Sequence, residues 1–175
     1  MSQNLFSRRA ALMTLVGGAL AAPSIARAST GPDWRPYFSN IDRGGLHVAT
    51  NARLLTWWSP GAMHSKVMMT AVPRTEELTR RGETEIVRKA AAPSWAPTPD
   101  MLARDPNIQP TPGGSPNNPL GSHALYFDWT YYAIHGTNKP NSVGTAASSG
   151  CFRLHAADIE HLYYSVDVGT PVVVS

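Results

Sequence analysis

Cysteine is almost missing from this 175-residue chain, which has one, Cys151. A single thiol excludes an internal disulfide and a thiolate metal cluster. The six histidines stand at 47, 64, 123, 135, 155 and 161 without close ligand spacing, so neither a metal nor a cofactor is expected. His155 and His161, six apart, would face different sides of a helix and read as surface residues. Long hydrophobic runs are lacking too. The apolar run Ala10–Ala22 would reach about 20 Å as a helix at ~1.5 Å per residue, short of a ~30 Å hydrocarbon core. Gly113-Gly114-Ser115 has no lysine and no following helix, which excludes a phosphate loop.

An excess of one charge sign is also absent once the N-terminus is set aside. Arg8 and Arg9 precede the apolar run, and Ala26-Arg27-Ala28 follows Pro23 as a small-residue cleavage site. This is the layout of a secretory signal over residues 1–28, with export to the periplasm or cell wall and no stable membrane span after cleavage. Ser7-Arg8-Arg9 resembles a twin-arginine signal, but Ala11 replaces its usual bulky apolar residue, so the export route stays open. Three of the fifteen basic residues and none of the twelve acidic ones precede residue 29. The remainder is formally neutral, and its composition gives no reason to expect a nucleic-acid partner. In an exported chain, a lone thiol gains weight as a reactive group.

What is present is a strand pattern. Residues 29–44 form an irregular lead-in, and residues 45–175 read as one domain. Leu46 and Val48 alternate with polar neighbours, Leu54 to Trp58 is apolar, Ser59-Pro60-Gly61 signals a turn, and Lys66 to Val72 returns. Glu83 to Lys89 reads as a further strand. Eight prolines between Pro93 and Pro119 keep that stretch out of any central sheet position. With Trp95, Met101 and Ile108 to pin it down, 90–122 reads as an ordered flap over a site. Ala124 to Phe127 and Tyr131 to His135 make a hairpin around Asp128-Trp129. Ile159, Leu162, Tyr163 and Val166 mark one helix over 156–166, and Val172 to Val174 is a buried closing strand. Trp57, Trp58 and Tyr163 read as core.

Chemistry concentrates at Ser148-Ser149-Gly150-Cys151-Phe152-Arg153-Leu154. A thiol attacks as thiolate, so its surroundings must lower its pKa or offer a base. Arg153, the helix start near Ala156 and His135 each supply one of these in principle. Gly150 permits a sharp turn, and the N–H groups of Gly150 and Cys151 could then receive an acyl oxyanion. Taken singly, His135 reads more often as a satisfied structural histidine, and Arg153 as a surface partner of Asp158.

Ile134-His135-Gly136-Thr137-Asn138 followed by Ser148 to Leu154 closely resembles the signature of the L,D-transpeptidase (YkuD-type) family. Asn118-Pro119-Leu120-Gly121, Asp158 to Tyr163 and Val168 to Val174 extend the likeness. The resemblance implies a mainly β, β-sandwich-like catalytic domain with one short helix after the cysteine. It implies acyl transfer on peptidoglycan stem peptides, with Cys151 as nucleophile, His135 as base and the Gly136 carbonyl orienting the imidazole. Gly150, Ser149 and Arg153 would form the oxyanion and substrate-binding surface. The acceptor would be a stem amine or a protein, an outer-membrane protein among the candidates. A hydrolase of the same fold and a non-catalytic wall-binding domain are the alternatives. A sortase is disfavoured because its arginine normally lies on a later strand. Two departures stand out: Ser149 replaces a second histidine two residues before the cysteine, and Ala71-Val72-Pro73-Arg74 replaces a Thr-Pro-x-Gly stretch.

Overall fold

The computed structural model describes residues 31–175, so the export signal read over 1–28 lies outside the described residues. The lead-in is a series of turns, with Trp58 Nε1 donating to the Pro32 carbonyl at 2.7 Å. Ten strands follow: β1 (Gly45–Ala49), β2 (Leu54–Trp58), β3 (Ser65–Met69), β4 (Val72–Pro73), β5 (Gly82–Ala91), β6 (His123–Phe127), β7 (Ala133–His135), β8 (Ala146–Ser148), β9 (Phe152–Arg153) and β10 (Pro171–Val174). Eight of them form one mixed sheet in the order β3-β2-β1-β10-β5-β6-β7-β9, while β4 and β8 pair separately in parallel. The return strand expected from Lys66 to Val72 is thus two strands, broken after Met69.

Period-2 alternation decides what the sheet buries. Leu46, Val48, Leu55, Ile86, Leu125, Ile134 and Phe152 are fully buried, and Trp57 and Trp58 join them as expected. The helix α2 (Ala156–Ser165) packs Ile159 and Leu162 into the same core, closed by Val166. Each such aliphatic side chain contributes about 1.5–3 kcal/mol relative to exposure. Tyr163 is only partly buried and stacks near His123, with ring centroids 4.5 Å apart. His155 is exposed as expected. His161 is not a simple surface residue, because its ring meets Trp57 edge-on at 4.9 Å and its Nε2 is buried without a hydrogen-bond partner.

The proline-rich stretch is ordered, and it contains a helix that its proline content hid. Thr98 caps α1 (Pro99–Arg104), its side chain accepting from the Met101 N–H at 3.3 Å, and Pro99 sits in the first turn where no donor is needed. Trp95 and Thr111 exchange two backbone hydrogen bonds of 2.9 Å, which folds the segment back on itself. Fully buried Asn118 ties the two ends of the stretch together. Its Nδ2 donates to the carbonyls of Pro93 at 2.6 Å and Pro112 at 3.2 Å, and its Oδ1 accepts from Leu120 N–H at 2.8 Å.

Candidate active site

Two short strands set the site. β7 pairs with β9 in parallel, Ile134 opposite Phe152 and His135 opposite Arg153. Ile134 and Phe152 both point into the core. Alternation therefore sends His135 and Arg153 to the other face, where they and Cys151 line one cavity of about 660 Å³. The flap residues Trp95, Met101 and Ile108 form another part of its wall.

His135 is 4 % exposed. Its Nδ1 lies 2.6 Å from the Gly136 carbonyl oxygen, which can only accept. Nδ1 must then carry the hydrogen, and the neutral ring keeps its lone pair on Nε2. Gly136 is closely packed here, and a side chain would make its neighbours give by a few tenths of an ångström. A Cβ would lie 3.2 Å from the Leu120 oxygen and 3.3 Å from Ile159 Cγ2. Burial pushes the imidazole down to about 4, helped by the Arg153 charge and opposed by the hydrogen bond to Gly136.

Of the two routes open to the sulfur, a lowered pKa or a nearby base, the first is not taken. Burial outweighs both the Ala133 hydrogen bond and the Arg153 charge, and pushes the thiol up to about 11. The S–H donates to the Tyr131 carbonyl at 3.2 Å, and no hydrogen bond joins it to His135 among the described residues. Tyr131 is a non-glycine residue at φ 68°, a left-handed turn conformation that only the surrounding hairpin enforces. Sequence reasoning missed it, since a backbone carbonyl aimed by a strained turn has no side-chain signature. Neighbouring Tyr132 sends its hydroxyl to the Leu78 carbonyl at 3.0 Å, and it is Tyr131 that lines the cavity.

The turn before the cysteine is built around Gly150 at φ 140°, which disfavours any L side chain. Its N–H donates to the buried Ser148 hydroxyl at 3.3 Å, so it is already engaged. The Cys151 N–H has no partner among the described residues, and is the free donor of the two proposed for an oxyanion. Ser149 Oγ accepts from Arg74 Nη1 at 3.0 Å. Arg153 Nη1 donates to Ser142 Oγ at 3.3 Å rather than pairing with Asp158, whose carboxylate holds Lys66 at 2.8 Å.

Residues 43–174 match the family model of the L,D-transpeptidase catalytic domain, YkuD. The chain belongs to that family. An L,D-transpeptidase of the ATP synthase subunits region of Fuscovulum blasticum is 37% identical over 182 residues, covering 95% of this chain and 96% of its own. YbiS of Escherichia coli K12 is 44% identical over 94 residues, 51% of this chain and 30% of its own. L,D-transpeptidase 3 from Mycobacterium tuberculosis, solved with a faropenem-derived adduct, shares the fold at TM-score 0.54 and 18% identity, over 76% of this chain and 60% of that one. This L,D-transpeptidase domain thus spans nearly all of one relative and 60% or less of the other two. Its mainly β architecture with few helices is that of the family's catalytic domains.

Proposed function

We propose that the chain is a peptidoglycan L,D-transpeptidase in which Cys151 attacks the carbonyl of the third residue of a tetrapeptide stem. The observation that carries this reading is that His135, at the end of β7, and Cys151, directly before its parallel partner β9, line one cavity, with the imidazole lone pair left on Nε2. With the thiol near 11 and the imidazole near 4, both groups are neutral at pH 7. Proton transfer from sulfur to Nε2 then accompanies attack instead of preceding it. The thiol leaves the Tyr131 carbonyl, sulfur bonds to the acyl carbon, and the oxyanion takes the free Cys151 N–H. Collapse breaks the amide bond, and the proton on Nε2 passes to the nitrogen of departing D-alanine. An acceptor amine then gives a proton to Nε2 as it attacks the thioester, which restores the thiol.

Export to the periplasm is part of the proposal and rests on residues 1–28. Among the described residues no helix is long and apolar enough to cross a membrane. The acceptor, a stem amine or a protein such as one of the outer membrane, is open to direct measurement. The mature enzyme incubated with muropeptides should yield cross-linked dimers by mass spectrometry. Trimmed tripeptides alone would make it a carboxypeptidase. A carbapenem should add once to the intact protein and not to Cys151→Ala. An adduct on Cys151→Ala, or full turnover by that variant, would remove the cysteine from the mechanism.

A further inference from the structure

The two places where the sequence departs from the family pattern meet in space. Arg74 and Ser149 are joined by the 3.0 Å hydrogen bond, and the Arg74 N–H also donates to the Ser148 carbonyl at 3.1 Å. Pairing of β4 with β8 fixes this contact, setting Pro73 opposite Ser148. A guanidinium is thereby fastened to the turn that carries the nucleophile.

The cavity holds an excess of positive charge. Arg74, Arg88, Arg104, Lys139 and Arg153 line it, against a single carboxylate, Asp105. The ion pairs of the described residues, Asp33–Arg35, Lys66–Asp158 and Glu76–Arg81, use none of the five. Residues 1–30 contain no Asp or Glu that could neutralise them. Arg153, half-buried, is held below its ordinary value first by burial and also by the charge of Arg74. Like charges kept beside one another without a counter-ion mark a place for an anion.

We propose that Arg74, held by Ser149 and facing the cavity with Arg153, is the specificity residue that reads the free terminal carboxylate of the donor's leaving D-alanine. This rests on the transpeptidase reading above. Bond lengths decide which carboxylate is meant. The terminal carboxylate is three bonds from the scissile carbon, within about 4 Å, so it must lie beside the groups flanking Cys151. A side-chain carboxylate on the third residue is more bonds away and free to point toward the flap. Guanidinium suits the role because it meets a carboxylate with two parallel donors. It also keeps its charge where a second histidine would titrate, so recognition of the leaving group is independent of pH over the neutral range.

The test compares three donors: a tetrapeptide with a free terminal acid, its D-alaninamide analogue, and one whose third-residue side-chain carboxylate is amidated. Acylation is followed on wild type, Arg74→Gln, Arg74→Lys and Ser149→Ala, and equilibrium binding of each donor on the same set carrying Cys151→Ala. Wild type should prefer the terminal acid over the D-alaninamide by about tenfold, expressed mainly in KM and weakened by 0.5 M salt. Arg74→Gln should erase that preference, Arg74→Lys should restore part of it, and Ser149→Ala should reduce it. Retention of the thermal midpoint by Arg74→Gln separates this from misfolding. An unchanged acid-to-amide ratio in Arg74→Gln, or a wild type sensitive only to the side-chain amide, overturns the proposal. A preference that shows in binding and vanishes in Arg74→Gln sustains the anion site even if no donor is turned over. In that event the enzyme reading alone falls.

Discussion

The two walls of the cavity are held in different ways. On one side His135 and Arg153 stand on strands joined by ladder hydrogen bonds, with Ile134 and Phe152 locked into the core behind them. On the other, the flap crosses the site on eight prolines, one short helix, one two-bond bridge and the side chain of Asn118. A sheet ladder distributes its hold over many groups, whereas the flap's ends are tied together by one buried amide and Asn138 Nδ2 joins it to the body by donating to the Asn117 carbonyl at 2.8 Å. In the proposed mechanism the reacting groups sit on the ladder-held wall, and the flap closes the opposite side of the cavity.

The sharpest way to test the rigid wall is His135→Gln, which keeps a donor for the Gly136 carbonyl but cannot hold the proton. Acylation should fall by about 10²- to 10⁴-fold with little change in donor binding. An unchanged rate would mean that the sulfur is activated without the imidazole. Next comes pH. Because the imidazole titrates near 4 and the thiol near 11, acylation should be level through neutrality and fall about tenfold per unit below pH 4 as Nε2 takes a proton. A rate that climbs tenfold per unit from pH 6 to 9 would instead require a thiolate formed before attack. The same depressed imidazole carries a stability signature. Unfolded histidine binds a proton below its ordinary value of 6.5 and the buried one does not, so stability should drop as pH falls from 6.5 to about 4. Chemical denaturation across that window should show a flatter profile in His135→Gln.

The smallest effect belongs to the flap. Asn118→Ala strands the Pro93 and Pro112 carbonyls and the Leu120 N–H, at a cost of about 1–3 kcal/mol. KM for a stem peptide should rise several-fold while kcat holds within about twofold. A large loss of kcat with KM unchanged would show that the flap wall takes part in the chemistry and would erase the contrast between the two sides.

Much of this was legible in the residues. Alternation announced the β6–β7 hairpin, and the spacing of Ile159, Leu162 and Val166 announced α2, because burial periodicity is a local property. The family follows from the histidine and cysteine motifs together with the matched span 43–174. What escaped depends on distant or purely backbone geometry. The Arg74–Ser149 bond spans 75 positions. The Tyr131 carbonyl is aimed by an unusual φ on a residue with no preference for it. The small helix at 99–104 was masked by proline density, although Thr98-Pro99-Asp100 is an N-terminal signature in its own right. The rise of the thiol's pKa is not legible either, because fixed charges can be counted along a sequence and desolvation cannot.

The buried thiol has a consequence for its resistance to oxidation. Burial holds the thiol well above its ordinary value, so it stays protonated at pH 7. Peroxide and disulfide-bearing metabolites consume thiolates, so they meet an almost unreactive atom at Cys151. The S–H meanwhile rests on the Tyr131 carbonyl at 3.2 Å.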